Sequence, residues 1–200
     1  MSVARYIFSP SRGGAAALLL GCLAALTACE DPSGTGQEAQ LLTDTVTLVV
    51  PDPARPLEGD ASGSALDIVP GPDGQIVIRK PERASDAGRW DVTLRRRGGD
   101  LALVPPAVLQ LRGVQARAAV TRVESSFDDV RDASVRVAFA PDSIAVLRPA
   151  GVYVLRSRNC RSGVNQYAKL EALAVDPAAG TAQLRVVANR QCGDPRLTAD

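Results

Sequence analysis

From Thr45 onward, apolar and polar residues alternate in short runs that Gly and Pro keep interrupting. A period of two marks strands with one buried face, and the Gly and Pro clusters mark turns. Thr45–Val50 (TVTLVV) is the first such run and ends at Pro51. Ala65–Val69 and Gln75–Arg79 flank Gly71-Pro72-Asp73-Gly74, which predicts a hairpin. Trp90–Arg97 and Asp100–Val104 flank Gly98-Gly99, a second hairpin signal, and Pro105-Pro106 stops the run. Fainter strand patterns lie at Val108–Leu111, Val114–Val123, Ser134–Phe139 and Ile144–Leu147, with a short helical turn near Ser125–Asp132. No window sustains a 3.6-residue period and no internal repeat is evident, so the expected class is all-β. The expected architecture is one mostly antiparallel domain, a sandwich or an irregular sheet.

The pattern is clearest toward the C-terminus. Val152–Arg158, Gln166–Asp176 and Thr181–Ala188 read as three strands of a meander. In the second, Ala168, Leu170, Ala172 and Ala174 share one face, and Tyr167, Lys169 and Glu171 the other. In the third, Ala182, Leu184 and Val186 oppose Gln183 and Arg185, the alternation of half-buried antiparallel strands. The first and third strands of an up-down-up meander finish at the same end. Cys160 follows the first and Cys192 the third, so topology brings the two thiols to one edge and predicts a disulfide. Closing a loop of about 33 residues would contribute roughly 3–4 kcal/mol by restricting the unfolded chain. A catalytic redox pair would want C-x-x-C spacing or an activated thiolate.

The first 28 residues follow another pattern. Arg5 and Arg12, with no acid, precede an apolar core from Ala15 to Ala28 that ends in small residues. That is the order of an export signal, and its length of about 14 falls short of the roughly 20 residues of a membrane-spanning helix. Leu26-Thr27-Ala28-Cys29 resembles a bacterial lipobox, where lipoprotein precursors are cut and lipidated. The expected mature chain then begins at a lipidated Cys29, and residues 29–44, polar and carrying Gly, Pro and Ser, form a flexible tether. The alternative is an ordinary secretory signal cut elsewhere, which would leave Cys29 a free thiol. Two or more acyl chains hold a protein at a membrane stably where one does not. Glu30, in place of the Asp that commonly retains lipoproteins on an inner membrane, leans toward an outer one.

Composition narrows the chemistry. Without the signal, 172 residues carry 21 basic and 22 acidic side chains, a net charge of −1 that favours neither nucleic acid nor an anionic surface. There is no histidine, and the only Met is Met1. Zinc sites built on His, Ser-His-Asp or Cys-His catalysis, and His or Met haem ligation therefore have no residues to use. An enzyme is the least expected class.

Several segments, in order, resemble the HmuY family of haem-binding bacterial surface lipoproteins. Trp90-Asp91-Val92-Thr93-Leu94 is similar to the family's W-D-L-A-F strand, and Phe127-Asp128-Asp129-Val130 with Ala133 to its F-D-x-V-x-x-A segment. Gly151–Arg156, followed by Tyr167-Ala168-Lys169-Leu170, is similar to its closing strands. The match spans roughly residues 90–175, so residues 45–200 are expected to form an HmuY-like domain. The resemblance implies an all-β envelope protein with haem as the ligand to consider. The paired His or paired Met of characterised members have no counterpart here, which leaves Tyr153 and Tyr167 as candidate phenolate ligands.

A second candidate feature is the group Arg156, Arg158, Arg161, Arg190 and Arg196 around the two cysteines. It could cradle phosphate, carboxylate or a haem propionate, or form a solvated rim partly neutralised by Asp194. Arg95-Arg96-Arg97 on a strand would point to two sides, so it makes no single claw. The expected function is non-catalytic binding, of haem or of an envelope protein partner, by a lipid-anchored protein. The alternative is a structural or protein-interaction lipoprotein with no small-molecule ligand.

Overall fold

The computed structural model describes residues 38–51, 63–71, 73–110, 117–133, 137–161 and 163–199. The expected signal, Cys29 and the tether up to residue 37 lie outside the described residues, as do the side chains of Asn159 and Arg161.

Ten strands among the described residues make two five-stranded sheets, antiparallel at every strand pairing. The first sheet runs, edge to edge, β1 (Leu41–Val49), β10 (Thr181–Asn189), β9 (Val164–Asp176), β8 (Val152–Arg161) and β6 (Ala119–Val123). The second runs β3 (Val77–Arg79), β2 (Ala65–Asp67), β4 (Val92–Arg97), β5 (Asp100–Val104) and β7 (Ala145–Val146). The all-β expectation holds, and so do the β2–β3 and β4–β5 hairpins and the β8–β9–β10 meander.

The alternating apolar residues explain why the two sheets meet. Leu66, Val92, Leu94, Leu101 and Leu103 of the second sheet share one buried cluster with Val46, Leu155, Leu170 and Leu184 of the first. Fully burying each such side chain is worth about 1.5–3 kcal/mol. The first sheet also has a second, smaller core on its opposite face. There Val152, Val154 and Val187 pack beneath Phe127, Val130, Ala133 and Leu197. A loop after β6 and the C-terminal segment therefore cover a face that would otherwise be wet.

Several expectations need correction. The tether was expected to reach residue 44, but β1 begins at Leu41, where Leu41 pairs with Asn189 and packs into the second core. Of the expected strand Val108–Leu111, the described residues 108–110 are not strand and Leu111 lies outside the described set: Pro106–Leu109 is a 3-10 turn with Pro at its start, followed by Gln110 in the left-handed region. Proline's fixed φ and missing N–H suit the first turn of a helix and not a ladder. Of the expected Val114–Val123 strand, residues 114–116 lie outside the described set, Arg117 and Ala118 are not strand and Ala119–Val123 is; Val137–Phe139 is irregular, with residues 134–136 outside the described set. Ile144–Leu147 shortens to Ala145–Val146. Ser125–Asp132 contains a turn closed by Asp129 N–H donating to the Ser126 carbonyl at 3.2 Å, and no helix.

On β9 the expected inward face holds through Ala168, Leu170 and Ala172, but Ala174 is exposed. The register slips between Gln183 and Leu184 of β10, which face Ala174 and Ala172. Leu173 is the extra residue of this β-bulge and is 45% exposed, and Val175 takes the inward place.

Cys160, near the end of β8, and Cys192, in the turn after β10, have Cα atoms 6.2 Å apart with their sulfurs at disulfide distance. The pairing expected from the meander is met.

Candidate functional site

Arg158 does not join an open anion cradle. The β8–β9 register shifts between Arg156 and Asn159, and the Arg158 guanidinium reaches across to the second sheet. Its Nη1 donates to Asp67 at 2.8 Å and to Asp91 at 3.2 Å. Asp67 also accepts two bonds from Arg79 and one from the Val69 N–H. Asp91 accepts from the Ile68 N–H at 2.9 Å and the Arg158 N–H at 2.8 Å. Burial pushes the Asp91 carboxyl up to about 6, opposed by the Arg158 charge and reinforced by Asp67. Burial works against the Arg158 cation, yet Asp91 and Asp67 outweigh it and raise its pKa. This is an ionic clasp between the sheets, in which Arg158 is engaged by Asp67 and Asp91 and Arg79 by Asp67 and Asp86.

Tyr153 is likewise committed to the fold. It is 0% exposed, and its hydroxyl donates to the Val146 carbonyl at 2.9 Å and accepts from the Arg148 N–H at 2.8 Å. Burial raises its pKa, which disfavours the phenolate that iron would need. The expectation of a ligand at Tyr153 is replaced by a second tie between the sheets, from β8 to β7. Gly151 is shaped to it, because a Cβ there would lie 2.7 Å from the Tyr153 oxygen.

Arg156 and Tyr167 are brought together as cross-strand partners on the outer face of the first sheet. The Tyr167 ring lies 6.1 Å from that of Phe139, and the Arg156 guanidinium sits 5.0 Å from the Phe139 ring. Arg156 also donates twice to the Arg117 carbonyl, at 3.1 and 3.0 Å. Arg161 ends β8, and its side chain lies outside the description. Arg196 pairs with Asp194 at 2.7 Å, which holds the Asp194 carboxyl below its ordinary range. Arg156, Arg158 and Arg196 therefore do not converge, and the Arg190 guanidinium lies against Gly74. Arg96 serves the fold too, donating to the carbonyls of Pro177 and Ala178 in the β9–β10 turn.

These placements bear on haem. Paired His or Met ligation has no residues, and Tyr153 is sealed, so the described residues do not fit a doubly ligated haem. Of the two tyrosine candidates, Tyr167 is half-buried and Tyr153 fully buried.

What the structure does assemble is a groove of about 540 Å³ beside the edge strand β6. Val123 and Val154 contribute apolar surface from the sheet, Val130 and Val137 from the covering loop, and Arg122 and Asp129 carry charge into the lining. The loop wall is held from below by Lys169, 4% exposed, whose Nζ donates to the Phe127 and Val130 carbonyls at 3.0 Å each. The same Nζ lies 4.7 Å from the Phe127 ring, and the Arg185 guanidinium lies 4.2 Å from it. Burial lowers the Lys169 pKa. Sequence reasoning gave Lys169 no role, since a lysine on the polar face of a strand reads as solvated. Its only signal was membership, with Phe127 and Val130, in the segments resembling one family. Those segments meet here in space.

Comparison of the chain with protein-family models, with characterised proteins and with solved structures finds no match.

Proposed function

We propose that this protein is a non-catalytic lipoprotein of the bacterial envelope, anchored through lipid on Cys29, which binds an envelope protein partner at the groove beside β6. The lipobox Leu26–Cys29 ahead of a disulfide-closed β domain is the observation that carries the reading. A partner protein is preferred to haem because two of the sequence candidates, Tyr153 and Arg158, are spent on inter-sheet contacts. The HmuY-like segments support the envelope location more directly than they support a ligand.

Labelled palmitate tests the anchor. It should enter the wild-type chain and fail to enter Cys29→Ser. Pull-down from solubilised membranes, comparing wild type with Val123→Glu, tests the groove: a partner lost in the variant supports it, and equal recovery removes it. Haem titration in competition with albumin decides the other reading. A saturable Soret shift abolished by Tyr167→Phe would transfer the function to haem capture.

A further inference from the structure

The C-terminal residues 192–198 form a strap over the second core. Their first residue is Cys192, which is exposed, and its partner Cys160 is half-buried. Gly193 N–H donates to the Asn165 carbonyl at 2.8 Å, next to the disulfide. Farther on, the strap pairs with the groove wall itself. The Ala133 N–H donates to the Pro195 carbonyl at 2.9 Å, the Leu197 N–H to the Arg131 carbonyl at 2.7 Å, and Arg196 bridges Asp132 antiparallel. Leu197 is 1% exposed beside Phe127, Val130 and Ala133. Asn189 adds a side-chain bond to the Arg196 carbonyl at 2.9 Å. Arg131 and Asp132 belong both to this pairing and to the groove lining. The covalent tie, the strap and the groove wall are thus one mechanical series.

We infer that the Cys160–Cys192 disulfide is a redox switch for the groove: reduction by a dithiol frees the strap and lets the 125–133 wall open. The inference rests on the groove being the binding face. In the reaction, one thiolate of an extracytoplasmic dithiol attacks the exposed Cys192 sulfur, and the Cys160–Cys192 bond breaks with its electron pair leaving on Cys160. The second thiol of the dithiol then resolves the mixed disulfide and releases Cys192. The dithiol is oxidised to a disulfide, the protein is reduced to two thiols, and the dithiol's two protons end on Cys160 and Cys192. Short chain ends held by few contacts open at low free energy once a tie is lost. The main sandwich keeps its own core and its cross-sheet clasps.

The test is hydrogen exchange on the full protein as its host processes it, in detergent, oxidised and after dithiothreitol without denaturant, with no partner added. Both thiols should become alkylatable. Amide exchange at Ala133 and Leu197 should then accelerate by roughly tenfold or more, while β4, β5, β9 and β10 keep their protection. Leu197→Ala with the disulfide intact should speed exchange at the same Ala133 amide, which keeps the test open if Cys160→Ala or Cys192→Ala fails to fold. A bond that resists native-state reduction would overturn the switch. So would unchanged exchange at Ala133 in the reduced protein, or protection lost across both sheets together. Because exchange is read without a partner, a groove that binds nothing leaves this result standing and refutes only the proposed function.

Discussion

Arg158→Met tests the inter-sheet clasp, and its cost can be worked from the contacts. The substitution keeps an apolar stem and the Arg158 N–H bond to Asp91, but removes the cation that pairs with Asp91. Asp67 keeps Arg79 at 3.1 Å, so it loses one charged hydrogen bond of several, worth about 1.5–3 kcal/mol. Asp91 titrates near 6 in the wild type against an ordinary 3.8. At 1.36 kcal/mol per pH unit, its burial already costs the fold about 3 kcal/mol at pH 7. Losing the Arg158 charge raises the Asp91 pKa further, and uptake of a proton at pH 7 caps the cost at about 4.4 kcal/mol. The increment at Asp91 is thus at most about 1.4 kcal/mol, and the whole substitution should cost about 2–4 kcal/mol at pH 7. At pH 5, Asp91 is protonated in both proteins and that increment vanishes. For the wild type the sign is fixed as well. A raised carboxyl pKa gives a stability contribution that is full below 3.8 and is lost as pH rises through about 6. Urea unfolding of wild type and Arg158→Met at pH 5 and pH 7 measures both effects. A loss below about 1 kcal/mol at pH 7, or one that grows toward pH 5, would refute the reasoning.

Lys169→Met should cost about 1–3 kcal/mol in the same assay, because the Phe127 and Val130 carbonyls lose their donor. Loss of the groove wall's protection in hydrogen exchange should accompany it. Tyr153→Phe should destabilise by a similar amount, since it strips the Arg148 N–H and the Val146 carbonyl of their partner, and should leave any haem spectrum unchanged. Leu173→Thr should change stability by less than about 0.5 kcal/mol, as expected of a surface site, whereas Leu170→Thr should be severe because Leu170 is fully buried. Equal effects at the two leucines would place the bulge elsewhere. Acid should remove the contribution of the Asp194–Arg196 pair, whose carboxyl lies below its usual range; Asp194→Asn should show a flatter loss on the acid side in a pH series of thermal melts.

The hairpins and the meander were legible because their information is local. Gly71–Gly74 and Gly98-Gly99 sit between alternating runs, and alternation survives wherever the ladder is regular. It failed at Ala174 for a reason no alternation pattern carries: a bulge inserts one residue and reverses the phase. It also failed at Val108–Gln110, where the chain after Pro105-Pro106 coils into a 3-10 turn. The disulfide was legible from topology, because strand order fixes which ends lie together. The candidate site was much less so. Tyr153 and Arg158 look like free functional groups in a string of residues, and only their partners on the other sheet, Val146, Asp67 and Asp91, show them spent.

By itself, the sequence determined the class of fold, two hairpins, the meander and its cysteine pair, and the chemistry forbidden by having no His and no Met beyond Met1. It also determined where a lipobox-like stretch stands, since such signals are read as linear strings. Only the tertiary structure decided which polar residues are buried. It set Arg158 between two carboxylates and Lys169 beneath a loop, and it made a groove from β6, Val154 and the 125–133 wall, to which the strap pairs. Burial and pairing depend on residues more than sixty positions apart in some of these contacts, such as Arg158 with Asp91. A side chain's ionisation and availability follow from that distant company, which periodicity along the chain does not encode.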